Sequence, residues 1–482
     1  MPVSGRTIAL FVGTLLSALS LASSTHGFRY RAVFGYLALA LILASLPHLA
    51  SWWARLQPPP SRFALLLRAS FVALAAAQLA RFHLIYVERP RVALVILAAT
   101  LAVAVIGVLQ MMPASRALSD RARRFAVPCL VGLMAVAVLL VPVASPRPKI
   151  DVFVFQQQGA AALMSGQNPY RMAYTNVYGR PMPWYPDGEP TVQPYPPLSL
   201  LLGVVALPAG DVRFVLALCH LLAAFLVWSA ARARKIDAAE ALLLAGLFVW
   251  APGVLFEIEQ AWTDTGVVLA LALCSYLWAT HKIGPTLLAA GAAVALKQNM
   301  GVLLPVLAAL KPRLSARHFA LLALPLVVTC GPFALADGAA LYRSLVSFHL
   351  ATPFRADANT LSTVLFRLTG EPLPAVATLV AVLALLAWWL PRLFRQAERH
   401  AFDRPALACL LWTAFASTFL STLLVSKHAF YNYFYLVHFT VVLALVWSRA
   451  ADVEGVVKDG LACARGRRRP VDLWRGRWRA CS

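Results

Sequence analysis

Apolar runs of about 18 to 25 residues recur along most of this chain, with short polar turns between them. That spacing is the signature of helices that cross a bilayer. Five runs come first, at about 7–25, 32–54, 63–87, 91–112 and 125–144. A polar stretch, 145–195, follows. A short apolar piece, 196–210, then ends at Pro208-Ala209-Gly210-Asp211. Further spans are predicted at 213–231, 240–256, 262–280, 318–336, 373–391, 406–426 and 432–448. The piece 285–310 is apolar on both sides of Lys297-Gln298-Asn299, and it reads as a re-entrant hairpin, two short helices or one long span. The pattern predicts an all-α polytopic membrane protein.

Composition agrees. Of 482 residues, 60% are hydrophobic and 13% charged, too little charge to cover a soluble surface. A soluble enzyme, a disordered chain and a collagen-like fibre are excluded. A porin-type barrel would show short alternating segments instead. The net charge of +23 fits the excess of Lys and Arg on cytoplasmic loops and at anionic headgroups better than nucleic-acid binding. The seven cysteines form no CxxC pair, so neither a disulfide framework nor a zinc site is expected. The apolar run after Arg6 reads as a retained first helix rather than a cleaved leader, because many spans follow.

Orientation turns on 196–210, which at about 1.5 Å per residue is short of a hydrocarbon core of about 30 Å. If it stays at the surface and 285–310 goes in and out on one side, the basic clusters fall together. These are Arg116/Arg121/Arg123/Arg124, Arg232/Arg234/Lys235, Lys311/Arg313/Arg317, Arg392/Arg395/Arg399/Arg404 and the tail from Arg465 to Arg479 with Trp474 and Trp478. That side is cytoplasmic by the positive-inside rule. The loops 145–212 and 337–372 and the turn 427–431 then face outward together.

Long loops of this kind are usually functional. Asp151 follows a span and heads a predicted interfacial helix running to about Ser165, with Val152, Phe155, Gly159 and Leu163 on one face. It can serve as a helix N-cap, as a general base, or as both. Glu257, Glu259, Gln260 and Asp264 form a second polar group where two apolar segments meet. Charge at membrane depth marks a cavity or pathway, although Glu259 also suits a capping role. Lys297 lies between two apolar halves. His349, Arg355, Asp357 and Asn359 lie in one outer loop, and Lys427, His428 and Asn432 head the last span. Cations at a membrane surface suit a phosphate, and a carboxylate beside them suits removal of a hydroxyl proton. No P-loop, GxGxxG or HExxH pattern is present, so nucleotide-driven chemistry loses support.

In order along the chain, Asp151, Ala162, Leu163, Gly166, Asn168, Pro169, Tyr170, then Tyr195, Pro196, Pro197 and Leu198 resemble a pattern of the GT-C superfamily of integral-membrane glycosyltransferases. The bacterial polyprenyl-phosphate-mannose-dependent branch (the DUF2029 or glycosyltransferase 87 type) is the most similar. Glu259-Gln260…Asp264, Lys297-Gln298, His349…Arg355 and Lys427…Asn432-Tyr433 extend the likeness over about 125–448. The resemblance implies a GT-C-like bundle of about 12–14 transmembrane helices, with juxtamembrane helices in the first large outer loop. Residues 1–124 are then N-terminal helices of unassigned role, 125–448 the catalytic module and 449–482 a basic cytoplasmic tail. The implied reaction is inverting transfer of a sugar, mannose-like, from a polyprenyl-phosphate monosaccharide to a lipid or glycan hydroxyl on the extracytoplasmic side of a bacterial-type plasma membrane. Asp151 is then the base, and Lys297, His349, Arg355 and Lys427 hold the donor phosphate. Asn168, Tyr170, Tyr195, Glu259, Gln260, Asp264 and Gln298 contact substrate. Asp151 lacks the acidic neighbour many GT-C enzymes carry, so no divalent metal or cofactor is expected. A transporter or flippase of a lipid-linked sugar is the competing reading, for which paired broken helices are expected.

Overall fold

The computed structural model describes residues 3–24, 27–47, 58–80, 82, 84–111, 120–311, 314–399 and 404–464. Arg116, Arg313 and the tail from Arg465 with Trp474, Trp478 and Cys481 lie outside them. So do the side chains of Arg121, Arg123, Arg124 and Cys463. No strand occurs among the described residues. The helices in order are α1 (Gly5–Ser23), α2 (Tyr30–Ser45), α3 (Pro60–Ala80), α4 (Pro90–Met111), α5 (Asp120–Leu139) and the single turn α6 (Val141–Ala144). Next come α7 (Asp151–Met164), α8 (Pro197–Ala206), α9 (Arg213–Ala233), α10 (Ala238–Val249), α11 (Val254–Glu259), α12 (Asp264–Ala279), α13 (Ile283–Leu296) and α14 (Leu303–Ala308). The last are α15 (Ala316–Tyr342), α16 (Phe348–Ala351), α17 (Leu361–Thr369), α18 (Ala375–Arg399), α19 (Pro405–Val425) and α20 (Tyr431–Ala464).

Among the described residues eight helices are long and apolar enough to cross a membrane: α1, α3, α4, α9, α15 continued through α16, α18, α19 and α20. This is the architecture of a multi-pass membrane protein. Seven further apolar pieces span 10–17 residues. The span expected at 240–256 is cut short. Pro252 and Gly253 break it, and Gly253 has φ +89°, where an added Cβ would stand 2.8 Å from the Tyr431 hydroxyl. Only glycine fits that turn, which separates α10 from α11.

Helix α20 forms the centre. Its membrane-length window is 94% buried, against 6% for α15 and 11% for α18. The reason is in the sequence: α20 is mostly apolar from Phe434 to Trp447, interrupted only by Tyr435, His438 and Thr440, which suits a helix enclosed by others. Its polar side chains reach neighbours across the bundle. His438 lies 2.7 Å from the Ser17 hydroxyl of α1 and 2.9 Å from Leu247 O of α10. The Tyr435 hydroxyl lies 2.7 Å from His220 Nδ1 of α9, and Trp447 Nε1 donates to Ser275 of α12 at 2.9 Å. Such interhelical bonds contribute about 0.6 kcal/mol each in a membrane protein. At Gly291 the backbones of α13 and α15 come so close that a Cβ would meet Leu322 O at 2.0 Å.

The N-terminal helices are part of this bundle. Helix α1 packs on α20, and α2 on α19. Asn359 accepts from the Arg29 amide at 2.9 Å and donates to Gly27 O at 3.2 Å, fastening the α1–α2 turn to the 337–372 segment. That segment, expected as a loop, is largely helical. The tail expected from 449 begins instead as the last turns of α20, because Arg449 is buried against Glu240 and Asp452.

Polar contacts sort the chain into two ends. At one end the Ser4 amide donates to Asp452, Arg449 pairs with Glu240, Arg404 with Glu454, and Arg234 stacks on Trp447. At the other lie Asp151, the 337–372 segment and the 427–431 turn. The two uncertain pieces resolve accordingly. Helix α8 is only ten residues long, and Gln157 of α7 binds Gly210 O and the Val212 amide. The chain therefore returns to the end it left. The piece 285–310 breaks at Lys297, whose backbone is extended between α13 and a 3-10 turn.

Candidate active site

Asp151 is the first residue of α7. Ile150, not Asp151, takes the N-cap position, and among the described residues the one backbone amide that donates to the Asp151 carboxylate is that of the neighbouring Val152, at 2.8 Å. The carboxylate is thus largely free of capping duty. Its second oxygen accepts a short hydrogen bond from the Tyr185 hydroxyl, and the Tyr178 hydroxyl also faces it. Burial pushes this carboxyl above the ordinary value, and the Tyr185, Val152 and Tyr178 donors and the Arg355 charge offset part of that rise. A carboxylate moved up in this way is a stronger base.

The loop after α7 is held by the aromatic residues that make it unable to span. Phe155 of α7 packs edge-on against Tyr174 at 5.0 Å and Tyr185 at 6.1 Å. Trp184 carries the Arg355 guanidinium over its ring at 4.3 Å, and Phe430 takes the other approach at 5.0 Å. Arg355 also pairs with both oxygens of Asp357, at 2.9 and 2.8 Å, and its amide donates to Lys427 O. Three separate segments of the chain (184–185, 355–357 and 427–430) therefore close around Asp151.

The second half of the site lies at the helix break. Lys297 donates to both oxygens of Asp264, at 2.7 and 2.6 Å, and sits 4.5 Å from the Tyr433 ring centroid. The Asn432 amide donates to Asp264 at 3.0 Å. The Tyr195 phenol links the halves: burial raises it well above the ordinary tyrosine value, with the charges of Asp151, Asp264 and Glu257 adding to the rise. Gln298 donates to Pro194 O at 3.1 Å and lies 2.5 Å from His349 Nε2. Lys427 donates to Leu350 O at 2.8 Å and Thr352 O at 2.5 Å, and burial lowers it from the ordinary lysine value. His428, lowered to about 4 by burial and the charge of Lys427, has a buried Nδ1 without a partner among the described residues.

The structure brings together Asp151, Tyr195, Asp264, Lys297, Gln298, His349, Arg355 and Lys427. Of the twelve residues to which the resemblance gave a role, it gives the other four structural contacts. The Asn168 side chain accepts from the Tyr170 amide at 3.0 Å, and the Tyr170 hydroxyl donates to Tyr195 O at 2.8 Å, so both build the loop. The buried Glu259 carboxylate accepts from the Ile85 and Tyr86 amides at 2.7 and 2.9 Å and from the Ser145 hydroxyl at 2.6 Å. Gln260 donates to Glu259 at 3.4 Å. Tyr178, Trp184 and Tyr185 were legible only as part of a Pro- and Tyr-rich loop; nothing in their spacing points to Asp151. Glu257 is fully buried, and neither of its oxygens has a hydrogen-bond partner among the described residues. No group of three His, Cys, Asp or Glu side chains that could hold a metal occurs among the described residues. Comparison with protein-family models, with curated proteins and with solved structures finds no match for this chain.

Proposed function

We propose that this protein is a GT-C-like glycosyltransferase that moves a sugar from a polyprenyl-phosphate monosaccharide to an acceptor hydroxyl. The observation that carries the reading is Asp151: a half-buried carboxylate pushed above its ordinary value by desolvation, in contact with the Tyr185 and Tyr178 hydroxyls, at the end of the bundle where several cations gather. Aromatic faces suit a sugar ring, and spans suit a polyprenyl tail.

In this reading the acceptor hydroxyl displaces the Tyr185 hydroxyl from Asp151. Asp151 takes the acceptor proton as the acceptor oxygen bonds to the anomeric carbon, opposite the departing phosphate. The carbon–oxygen bond to phosphate breaks, its electron pair stays on the phosphate, and the anomeric configuration inverts. Among the cations, Lys427 suits the phosphate best, because it has no carboxylate partner among the described residues and its ammonium group donates only to backbone carbonyls. Arg355 and Lys297 already have carboxylate partners. A bacterial-type plasma membrane, with this site on the extracytoplasmic face, completes the proposal.

The test is sugar transfer by purified protein in nanodiscs, from radiolabelled polyprenyl phosphate mannose to a lipid-extract acceptor, comparing wild type with Asp151→Asn. Loss of transfer with donor binding retained supports the reading. Transfer unaffected by the substitution overturns the role of Asp151. The buried Asp264–Lys297 pair at a helix break favours one second reading, a transporter of the same lipid-linked sugar. Donor flipping without transfer would establish that instead.

A further inference from the structure

The segment between α3 and α4 is built onto the rim of the site, although nothing in the sequence assigns it a role. Glu259 binds the amides of Ile85 and Tyr86 together with the Ser145 hydroxyl. The Glu88 and Arg89 amides both donate to Ala144 O, at 3.0 and 3.1 Å. The Tyr86 hydroxyl donates to Lys149 O at 3.0 Å, two residues before Asp151. Tyr86 thus stands at the edge of the base pocket, where the Asp151 charge acts on its phenol.

This fastening gathers charge of one sign. Glu88 pairs with Arg147 at 2.6 Å and lies within electrostatic reach of Arg89 and Lys149 as well. Three exposed cations therefore share one carboxylate, and neither Arg89 nor Lys149 has an ion-pair partner among the described residues. The rim sits where α4 begins and α6 ends, the depth at which headgroups lie beside a spanning helix. A cluster of this sign and depth attracts anionic lipid.

We infer that Arg89 and Lys149, flanking the Arg147–Glu88 pair, form a docking surface for an anionic phospholipid headgroup, held beside Asp151 as the acceptor. The identity of that lipid as acceptor rests on the glycosyl-transfer reading; its docking does not. The N-terminal helices α3 and α4 then have a task, which is to present this rim.

The experiment uses full-length protein in nanodiscs containing phosphatidylglycerol or phosphatidylcholine with a photoreactive headgroup, and maps the labelled peptides. Labelling of 84–91 and 145–151 by phosphatidylglycerol over phosphatidylcholine is expected. It should fall by about fivefold for each cation removed in Arg89→Gln/Lys149→Gln. The charge-conserving variant Arg89→Lys should keep the labelling and so report folding. Equal labelling by both lipids, or labelling confined to the basic residues at the opposite end, overturns the proposal. Suppression by millimolar inorganic phosphate with no lipid preference would place a soluble phosphate group on the rim and overturn the lipid assignment. Labelling is read without sugar transfer, so it stands or falls independently of Asp151→Asn.

Discussion

The hydroxyl of Tyr185 donates to the carboxylate of Asp151 across 34 residues of chain, and it is the contact that an acceptor hydroxyl must replace. It also opposes burial, since a donor to the carboxylate stabilises the charged form. The two effects predict a specific change in Tyr185→Phe. With the donor gone, Asp151 holds its proton to higher pH. A base works only when deprotonated, so the acid limb of the pH–rate profile for transfer moves upward. A profile measured on wild type and variant checks this, and an unmoved limb would remove Tyr185 from the base pocket.

Asp151→Asn is expected to stabilise the protein while it abolishes transfer. Burial raises Asp151, so the folded chain retains a proton that the unfolded chain releases. Stability from such a group is fullest at acid pH and falls as pH rises through the folded-state value. Asparagine carries no charge to desolvate. Thermal unfolding in detergent should give a higher midpoint for the variant at neutral pH, with the gain shrinking towards the acid side. A lower midpoint at neutral pH would mean that the carboxylate is better satisfied than its contacts suggest.

The Lys297–Asp264 pair separates structure from phosphate binding. Both groups are buried, and Lys297 uses both carboxylate oxygens. Removing one partner of such a pair costs about 3–5 kcal/mol, whereas replacing both with apolar groups is often neutral. Lys297→Met should therefore unfold well below wild type, and Lys297→Met/Asp264→Leu should recover most of the loss. If the double variant is stable yet fails to bind donor, Lys297 or Asp264 also touches the substrate. If both variants are stable, the pair contributes little.

The spans were readable because their apolar runs exceed what a soluble domain can carry, and the site was partly readable because its charged residues interrupt those runs. Asp151, Lys297 and Lys427 stand out on that ground alone. What joins them does not. Tyr185 reaches Asp151 by way of a loop whose path depends on Phe155, Tyr174 and Gln193, whose side-chain amide donates to Phe155 O and to the Tyr174 hydroxyl, and no local pattern encodes that path. Glu259 shows the converse failure: a carboxylate between two apolar helices has the same sequence appearance whether it meets substrate or two backbone amides. Breaks were legible but not their geometry. Lys297-Gln298-Asn299 marks an interruption, and only packing against Asp264 and α15 decides that the chain turns back there.

Glu259→Gln tests the clamp on which the rim depends. The carboxylate accepts from two backbone amides, one hydroxyl and the Gln260 side chain, and an amide side chain offers a single oxygen and adds a donor of its own. At least one buried N–H then loses its partner, at a cost of about 1–3 kcal/mol. Because Ile85 and Tyr86 lead directly into Arg89, the loss should loosen the rim more than the bundle. Hydrogen exchange by mass spectrometry should quicken over 84–91 while peptides of α19 and α20 stay protected. Faster exchange throughout would make Glu259 a support of the whole fold. Unchanged exchange over 84–91 would show that the Glu88 and Arg89 amides on Ala144 O hold the segment by themselves.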